Sequence, residues 1–96
     1  MPLSFAPVAA DRWRSLAGST HHYERAVRAA ITPILEDLDA HPELHRVGAS
    51  QFRTTPTTWA RTVDVGEGAS WMVVWTTGET AGDIRILRIE PAPSMS

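Results

Sequence analysis

The residues best suited to chemistry in this chain are its arginines. They supply all nine of its side-chain cations, because the 96-residue sequence contains no lysine. Arg46, Arg53 and Arg61 are the only charged residues across positions 44–63, so this segment is locally basic. A guanidinium donates two parallel hydrogen bonds to a phosphate. We therefore predict that Arg53, Arg61 and Arg88 form an anion-binding surface that contacts nucleic acid.

Two simpler interpretations of the same arginines stay open. A chain rich in Arg and Ala that lacks Lys and Asn is typical of a GC-rich genome, so codon bias alone explains the preference. Arginines in strands also pair with acids at the margins of a sheet. The acids available for such pairs are Asp64, Glu67, Asp83 and Glu90. Alternation along the last strand predicts that Arg85 faces the opposite side from Arg88.

Tryptophan is dense in the second half of the chain. Trp59, Trp71 and Trp75 are three of four tryptophans in the sequence, and aromatic rings on an open surface stack against bases in single-strand binders. A sheet covered by helices needs large side chains on its inner face. That account is favoured for Trp71 and Trp75. For Trp59, which starts a strand, core and stacking platform are equally good interpretations, and we include it in the nucleic-acid surface.

The histidines give little sign of a metal site. His41 and His45 have the spacing of a zinc-binding pair, but Pro42 stands where a metalloprotease has its glutamate, and no third ligand is evident. Without cysteine, disulfides and thiolate sites are excluded. We predict no metal and no cofactor. His41 or His45, near the basic segment, could act as a general acid or base, and His45 is our candidate.

Composition limits the class of protein. The length fits one domain, here residues 1–96 with a loose tail at 91–96. The net charge of −2 argues against a surface that is basic throughout. No apolar run reaches the roughly 18 residues of a membrane helix, and the N-terminus lacks the pattern of a signal peptide. We expect a cytoplasmic protein.

Hydrophobic periodicity predicts helices in the first half. Residues 3–6 read as an edge strand, and residues 8–17 as a helix that ends at Gly18. Ser19-Thr20 is the expected cap of a second helix. The apolar positions of that helix, from Tyr23 to Leu38, keep helical spacing across Pro33, which predicts one helix kinked near the proline.

Beyond residue 42 the pattern changes from helix to sheet. Residues 42–45 fit one helical turn, followed by a loop to residue 58 that Phe52 anchors to the core. Strands are predicted at 59–65, 71–75 and 84–89, separated by turns at 66–70 and 77–83. Short connections make them an antiparallel meander, with 71–75 in the middle and covered on both faces. The fold class is α+β, with an N-terminal strand and two helices packed as a layer on the meander.

This order of elements resembles the RelE/ParE family of bacterial toxins over nearly the whole chain. The residues that carry the resemblance are FAPVAA at 5–10, ILEDLDAHP at 34–42, WARTVDV at 59–65, WMVVW at 71–75 and ILRI at 86–89. These motifs are mostly apolar pattern, so they indicate the fold more than the function.

The resemblance implies the toxin of a toxin–antitoxin module. Such proteins cleave messenger RNA at the ribosome or inhibit DNA gyrase, and each is held by an antitoxin protein that wraps its surface. If this chain cleaves RNA, we predict that it does so without a metal, because its sequence shows no ligand set. Two departures matter. Met72 stands where the ribonuclease branch has an arginine, and Glu90-Pro91-Ala92 replaces its terminal basic residue and tyrosine. The catalytic residues are therefore unknown, with Arg61, Arg88 and His45 as candidates.

Three functions remain as expectations from the sequence. They are an antitoxin-binding toxin with endoribonuclease activity, a gyrase inhibitor, and a non-enzymatic interaction module on the same scaffold. Homodimerisation is open, and no membrane partner is expected.

Overall fold

The computed structural model describes residues 3–54, 56–66, 69–78 and 82–92. These residues form an α+β fold with the predicted order of elements. The elements are β1 (Leu3–Phe5), α1 (Pro7–Ala17), α2 (His22–Ala40), a short 3-10 helix (Pro42–Leu44), β2 (Ser50–Phe52), β3 (Thr58–Gly66), β4 (Ala69–Thr77) and β5 (Ile84–Pro91). No helix in the described ranges is long and apolar enough to cross a membrane.

The strands form one mixed sheet in the order β1-β5-β4-β3-β2. The predicted meander is confirmed, and β1 pairs with β5 in parallel at one edge. The prediction missed β2, which lies in the segment expected to be a loop and extends the meander at the other edge. All three side chains of β2 are exposed. Because neither face of β2 is buried, its sequence lacks the alternation of apolar and polar residues that predicts a strand.

The prediction for Phe52 was wrong. This side chain is 48% exposed and does not anchor the loop to the core. Phe52 pairs directly with Thr58 across β2 and β3, and paired residues lie on the same face of a sheet. Their shared face is the one that the helices leave uncovered.

Helix α2 runs without interruption through Pro33, so the prediction of a single helix is confirmed. The proline removes one backbone donor, at a cost of about 3 kcal/mol in a helix interior. Burial of the apolar stripe on both sides of it offsets this cost. That stripe consists of Val27, Ile31, Ile34, Leu35 and Leu38.

The ends of the helices differ in how well they were predicted. Helix α1 ends at Gly18, as expected, but it begins at Pro7, one residue earlier than predicted. The N-cap of α2 is His21, not Ser19 or Thr20. Ser19 acts just before it, since its hydroxyl accepts the His21 N–H at 3.0 Å and donates to Glu24 at 2.9 Å.

Both helices pack on one side of the sheet, which we call the covered face, and the other side is the open face. On β4, Trp71, Val73 and Trp75 are buried on the covered face. Met72 and Val74 lie on the open face and are half-buried. The prediction that β4 is covered on both sides was therefore wrong, because no described helix packs on the open face. Its position inside the sheet is confirmed.

A bulge in β5 changes which residues share a face. Trp75 pairs with Ile86 and Val74 pairs with Arg88, so Leu87 has no partner in the register. An extra residue shifts the alternation by one. Arg85 therefore lies on the same open face as Arg88, and the prediction of opposite faces was wrong.

The two predicted turns and the predicted tail lie partly outside the described residues. The turns at 66–70 and 77–83 include residues 67–68 and 79–81, which are not described. In the predicted tail, Pro91 pairs with Trp71, and the Ala92 N–H donates to the Ser70 carbonyl at 2.9 Å. Pro91 thus belongs to β5, Ala92 is hydrogen-bonded to β4, and residues 93–96 are outside the description.

Candidate functional site

Arg61 lies on the covered face, at the margin of the helical layer. It pairs with Val73 across β3 and β4. Its Nη1 donates to Oδ2 of Asp37 at 3.2 Å, which ties β3 to α2. Its side chain is 31% exposed. Arg61 therefore acts as a bridge between the layers, with a partner that the sequence did not indicate.

Arg88 and Arg53 lie elsewhere. Arg88 is on the open face, where its Nη1 is 3.8 Å from Oε2 of Glu90, so one of the expected acids is its partner. Arg53 is exposed in the segment after β2. The sheet separates Arg61 from Arg88, so the three arginines do not form one surface. Of the other acids, Asp64 accepts a hydrogen bond from Ser70, and Glu67 is outside the described residues.

Trp59 is a core residue. It is 6% exposed and lies on the covered face opposite Trp75. The His45 and Trp59 rings form a T-shaped contact, with centroids 4.6 Å apart and an interplanar angle of 83°. The Arg46 guanidinium lies 5.6 Å from the centre of the Trp59 ring. His45 and Arg46 therefore occupy space that a nucleic-acid base would need in order to stack on the Trp59 ring.

His45 is buried beside these tryptophans. Its Nδ1 accepts a hydrogen bond from Trp75 Nε1 at 3.1 Å. Burial lowers the pKa of the imidazole, and the nearby Arg46 charge lowers it further. A neutral histidine has one acceptor nitrogen, and here Trp75 occupies it. His45 therefore lacks a free lone pair for a general base, and its lowered pKa makes it a poor general acid at neutral pH.

A cleft beside His45 has no consistent charge. Its volume is about 280 Å³, and its charged lining residues are Glu43, Arg46 and Asp83. The described residues hold no group of three His, Cys, Asp or Glu side chains that could bind a metal ion. Positively and negatively charged side chains both line this cleft, so it does not select a ligand of either charge.

An apolar groove between β1 and α2 is better defined. Its volume is about 250 Å³, and Leu3, Phe5, Trp13 and Leu35 line it. The acidic residues Glu36 and Asp39 of α2 also line it. Asp39 Oδ1 is buried with no hydrogen-bond partner among the described residues. The groove thus combines an apolar floor with negative charge.

The sequence contained part of the signal for this groove. Residues 3–6 were predicted to form an edge strand, and β1 is confirmed at the edge of the sheet. The acidic positions of α2 were visible as its polar side. The approach of β1 to the last turns of α2 depends on the parallel pairing of β1 with β5, which hydrophobic periodicity does not specify.

Comparison of the chain with models of known protein families, with curated proteins and with solved structures finds no match.

Proposed function

We propose that this chain is a cytoplasmic protein-binding domain of a toxin–antitoxin module, with a RelE/ParE-like scaffold. An extended segment of the antitoxin adds to the outer edge of β1 and places an apolar side chain in the groove between β1 and α2. The observation that carries the proposal is this groove beside an open strand edge, lined by Glu36 and Asp39.

The backbone of β1 supports strand addition. The Ala6 N–H donates to the Ile86 carbonyl at 2.8 Å, so Ala6 directs its backbone groups toward β5. Successive residues of a strand direct these groups to alternate sides. Leu3 and Phe5 therefore direct theirs outward, where no described strand pairs with them. A peptide that pairs there gains main-chain hydrogen bonds, and adjacent pockets select its side chains.

The charge of the groove specifies the chemistry of the partner. Glu36 and Asp39 belong to the last two turns of α2, one turn apart on the same side. A partner segment with an apolar residue next to Arg or Lys can place the apolar side chain on the floor of the groove and pair the cation with these carboxylates. The unpartnered Asp39 Oδ1 gains a donor in the process, which favours binding because an unpaired buried acceptor is costly.

Enzymatic and gyrase-directed functions are alternatives with less support. The candidate catalytic residues Arg61, Arg88 and His45 are dispersed, and the proton acceptor of His45 is occupied. RNA cleavage needs a base, an acid and a cation around one phosphate. Inducing expression in a bacterial host tests both alternatives through growth, RNA ends and plasmid supercoiling.

The proposal itself is tested with extended peptides displayed on phage and selected against the purified protein. We expect selected peptides to share an apolar residue next to a basic one. Their binding should slow hydrogen exchange at the Leu3 and Phe5 amides, because these N–H groups point outward. Glu36→Gln with Asp39→Asn should weaken binding about tenfold, the effect of losing one charge-assisted contact.

Glu43→Gln is the matched control, since Glu43 is an exposed acid away from the groove. Selected peptides that leave the two β1 amides unchanged would show that the partner does not add to this edge. Equal weakening by Glu43→Gln would show that net charge, and not the groove, attracts basic peptides.

A further inference from the structure

The strongest unassigned feature is a polar pocket between the end of α1 and the side of α2. Its volume is about 390 Å³, within the roughly 300–1,000 Å³ range of small-molecule sites. The residues that line it include Ser19, Arg25, Arg28 and Thr32, and none of the described residues that line it is acidic. It adjoins the groove between β1 and α2, because Thr32 lines both, but its two arginines do not line that groove.

Arg25 and Arg28 are placed to act together. They are three residues apart on α2, so their side chains leave the helix on the same side. In the described part of the chain neither forms an ion pair with a carboxylate. Two like charges at this spacing destabilise a helix. A bound anion removes that repulsion.

The surroundings of the two guanidiniums leave their N–H groups available. The Arg28 guanidinium lies 5.6 Å from the centre of the Trp13 ring, a contact that orients the group and leaves its N–H edge free. The nearest acid in sequence, Glu24, accepts the Ser19 hydroxyl at 2.9 Å. The Thr32 hydroxyl donates to the Arg28 carbonyl at 2.8 Å. Both hydroxyl protons are thus used, so an anion is held by the guanidiniums.

One element opposes anion binding. Leu16 and Ala17, at the carboxyl end of α1, line the pocket, and a helix carries about half a negative charge at that end. Two full positive charges exceed this partial charge. The balance favours a doubly charged anion, which gains most from two cations.

We propose that Arg25 and Arg28 bind a phosphate group in this pocket. The chemistry is a phosphate dianion held by two arginine forks, a geometry that guanidinium groups suit. Inorganic phosphate and the terminal phosphate of a nucleotide chain share it. A terminal phosphate carries up to two negative charges and an internal phosphodiester carries one, so a pair of arginines favours the terminal group.

The sequence carries a signal for this site in a second cluster of arginines. Positions 12–28 contain four arginines and one acid, Glu24, with Asp11 lying just before them. The segment at 44–63 is the more prominent of the two in the sequence because it contains no acid. Of the four arginines, Arg14 pairs with Asp11 and Arg12 lies over the Trp71 ring, which leaves Arg25 and Arg28 for a ligand.

The test is a titration of the full chain with inorganic phosphate, followed by NMR at the arginine Nε–H groups. We expect the Arg25 and Arg28 signals to shift together and saturate. Arg25→Gln and Arg28→Gln should each weaken binding about tenfold, as expected for loss of one charge-assisted contact. Both side chains are exposed on α2, and Gln is a good helix former, so the variants should stay folded.

Arg85→Gln is the charge-matched control, because Arg85 is exposed on the open face. If it weakens phosphate binding as much as Arg25→Gln, the interaction is general electrostatics and the site does not exist. Absence of saturable shifts at Arg25 and Arg28 overturns the proposal as well.

A second arm identifies the source of the phosphate. A short oligoribonucleotide with a 5′-phosphate is compared with the same strand lacking it. Tighter binding of the phosphorylated strand, lost in the double variant, supports a terminal phosphate on a nucleic acid. Binding of inorganic phosphate alone supports a small ligand. Equal binding of both strands that survives the double variant contradicts the proposal that this pocket holds the phosphate.

Discussion

The covered and open faces of the sheet come from the same strands but use their polar groups differently. On the covered face, polar groups contact the helical side of the molecule: Trp71 Nε1 donates to Tyr23, Trp75 Nε1 to His45, and Arg61 to Asp37. On the open face, the acid that Arg88 contacts is Glu90, two residues away in the same strand. These polar side chains of the covered face therefore connect the sheet to the helical side of the molecule.

This difference explains why the residues that looked most reactive in the sequence do not form a site. His45 and Arg61 lie against the covered face, and their polar groups contact Trp75 and Asp37. Trp59 is buried on the same face, where its ring packs against His45 and its Nε1 has no hydrogen-bond partner among the described residues. The better binding features lie at the margins of the helical layer. There an open strand edge and two guanidiniums without acidic partners among the described residues leave groups available.

The largest test of this comparison uses two deletions. Removing Val74 shifts the alternation of β4 and directs Trp75 to the open face, so we expect loss of more than about 4 kcal/mol of stability. Removing Leu87 deletes the bulge and leaves Ile84, Ile86 and Ile89 on the covered face. That variant should lose at most about 2 kcal/mol. Urea denaturation measures both.

Similar losses from the two deletions would contradict the assignment of Leu87 as the extra residue. A Leu87 deletion that unfolds the protein would show that the bulge, and the twist that it adds to β5, is required for the helices to pack.

Adjacent substitutions in β4 give the next largest effect. Trp75 is fully buried on the covered face, and Val74 is half-buried on the open face. Trp75→Ala should cost about 3–5 kcal/mol, as expected for truncating a buried aromatic side chain. Val74→Ala should cost about 1 kcal/mol, because fewer of its atoms leave an apolar environment. A cost for Val74→Ala near that of Trp75→Ala in urea denaturation would indicate a second buried layer on the open face.

The third prediction concerns pH. The folded pKa of His45 lies below its ordinary value, so the unfolded chain binds the proton more readily. The free energy of unfolding should therefore fall as pH drops below about 6.5 and stop falling once the folded protein also binds the proton. His45→Asn keeps an acceptor for Trp75 but does not titrate. We expect a shallower decline between pH 7 and 5 for this variant in urea denaturation.

Parallel curves for the two proteins would mean that folding does not lower the pKa of His45. The other histidines are unchanged in the variant, so their contribution cancels in this comparison.

The sequence predicted the elements of the fold better than their contacts. Helix α2 was predicted because its apolar spacing continues across Pro33, and β4 because five successive apolar residues need an interior position. Strand β2 was missed because it buries no side chain, and the side of Arg85 was wrong because alternation cannot reveal the unpaired Leu87. The Arg61–Asp37 pair joins residues 24 apart. Local spacing contains no information about such a contact.

The smallest predicted effect concerns the two arginine pairs, one on each face. Arg61 and Asp37 join β3 to α2 at 3.2 Å, whereas Arg88 and Glu90 lie two residues apart on one strand at 3.8 Å. A double-mutant cycle with Arg61→Gln and Asp37→Asn should give a coupling energy of about 0.5–1 kcal/mol, the upper range for a partly exposed pair. The cycle with Arg88→Gln and Glu90→Gln should give nearly zero. Added salt should reduce the first value, since such pairs are screened.

The outcome of the first cycle also decides how Arg61 is used. A measurable coupling means that α2 holds the guanidinium, so a phosphate can bind it only by displacing Asp37. A coupling energy of zero at low salt would mean that the charge is not held. Arg61 would then be available to an anion approaching from the margin of the covered face, and its predicted role with Arg53 in nucleic-acid contact would regain support.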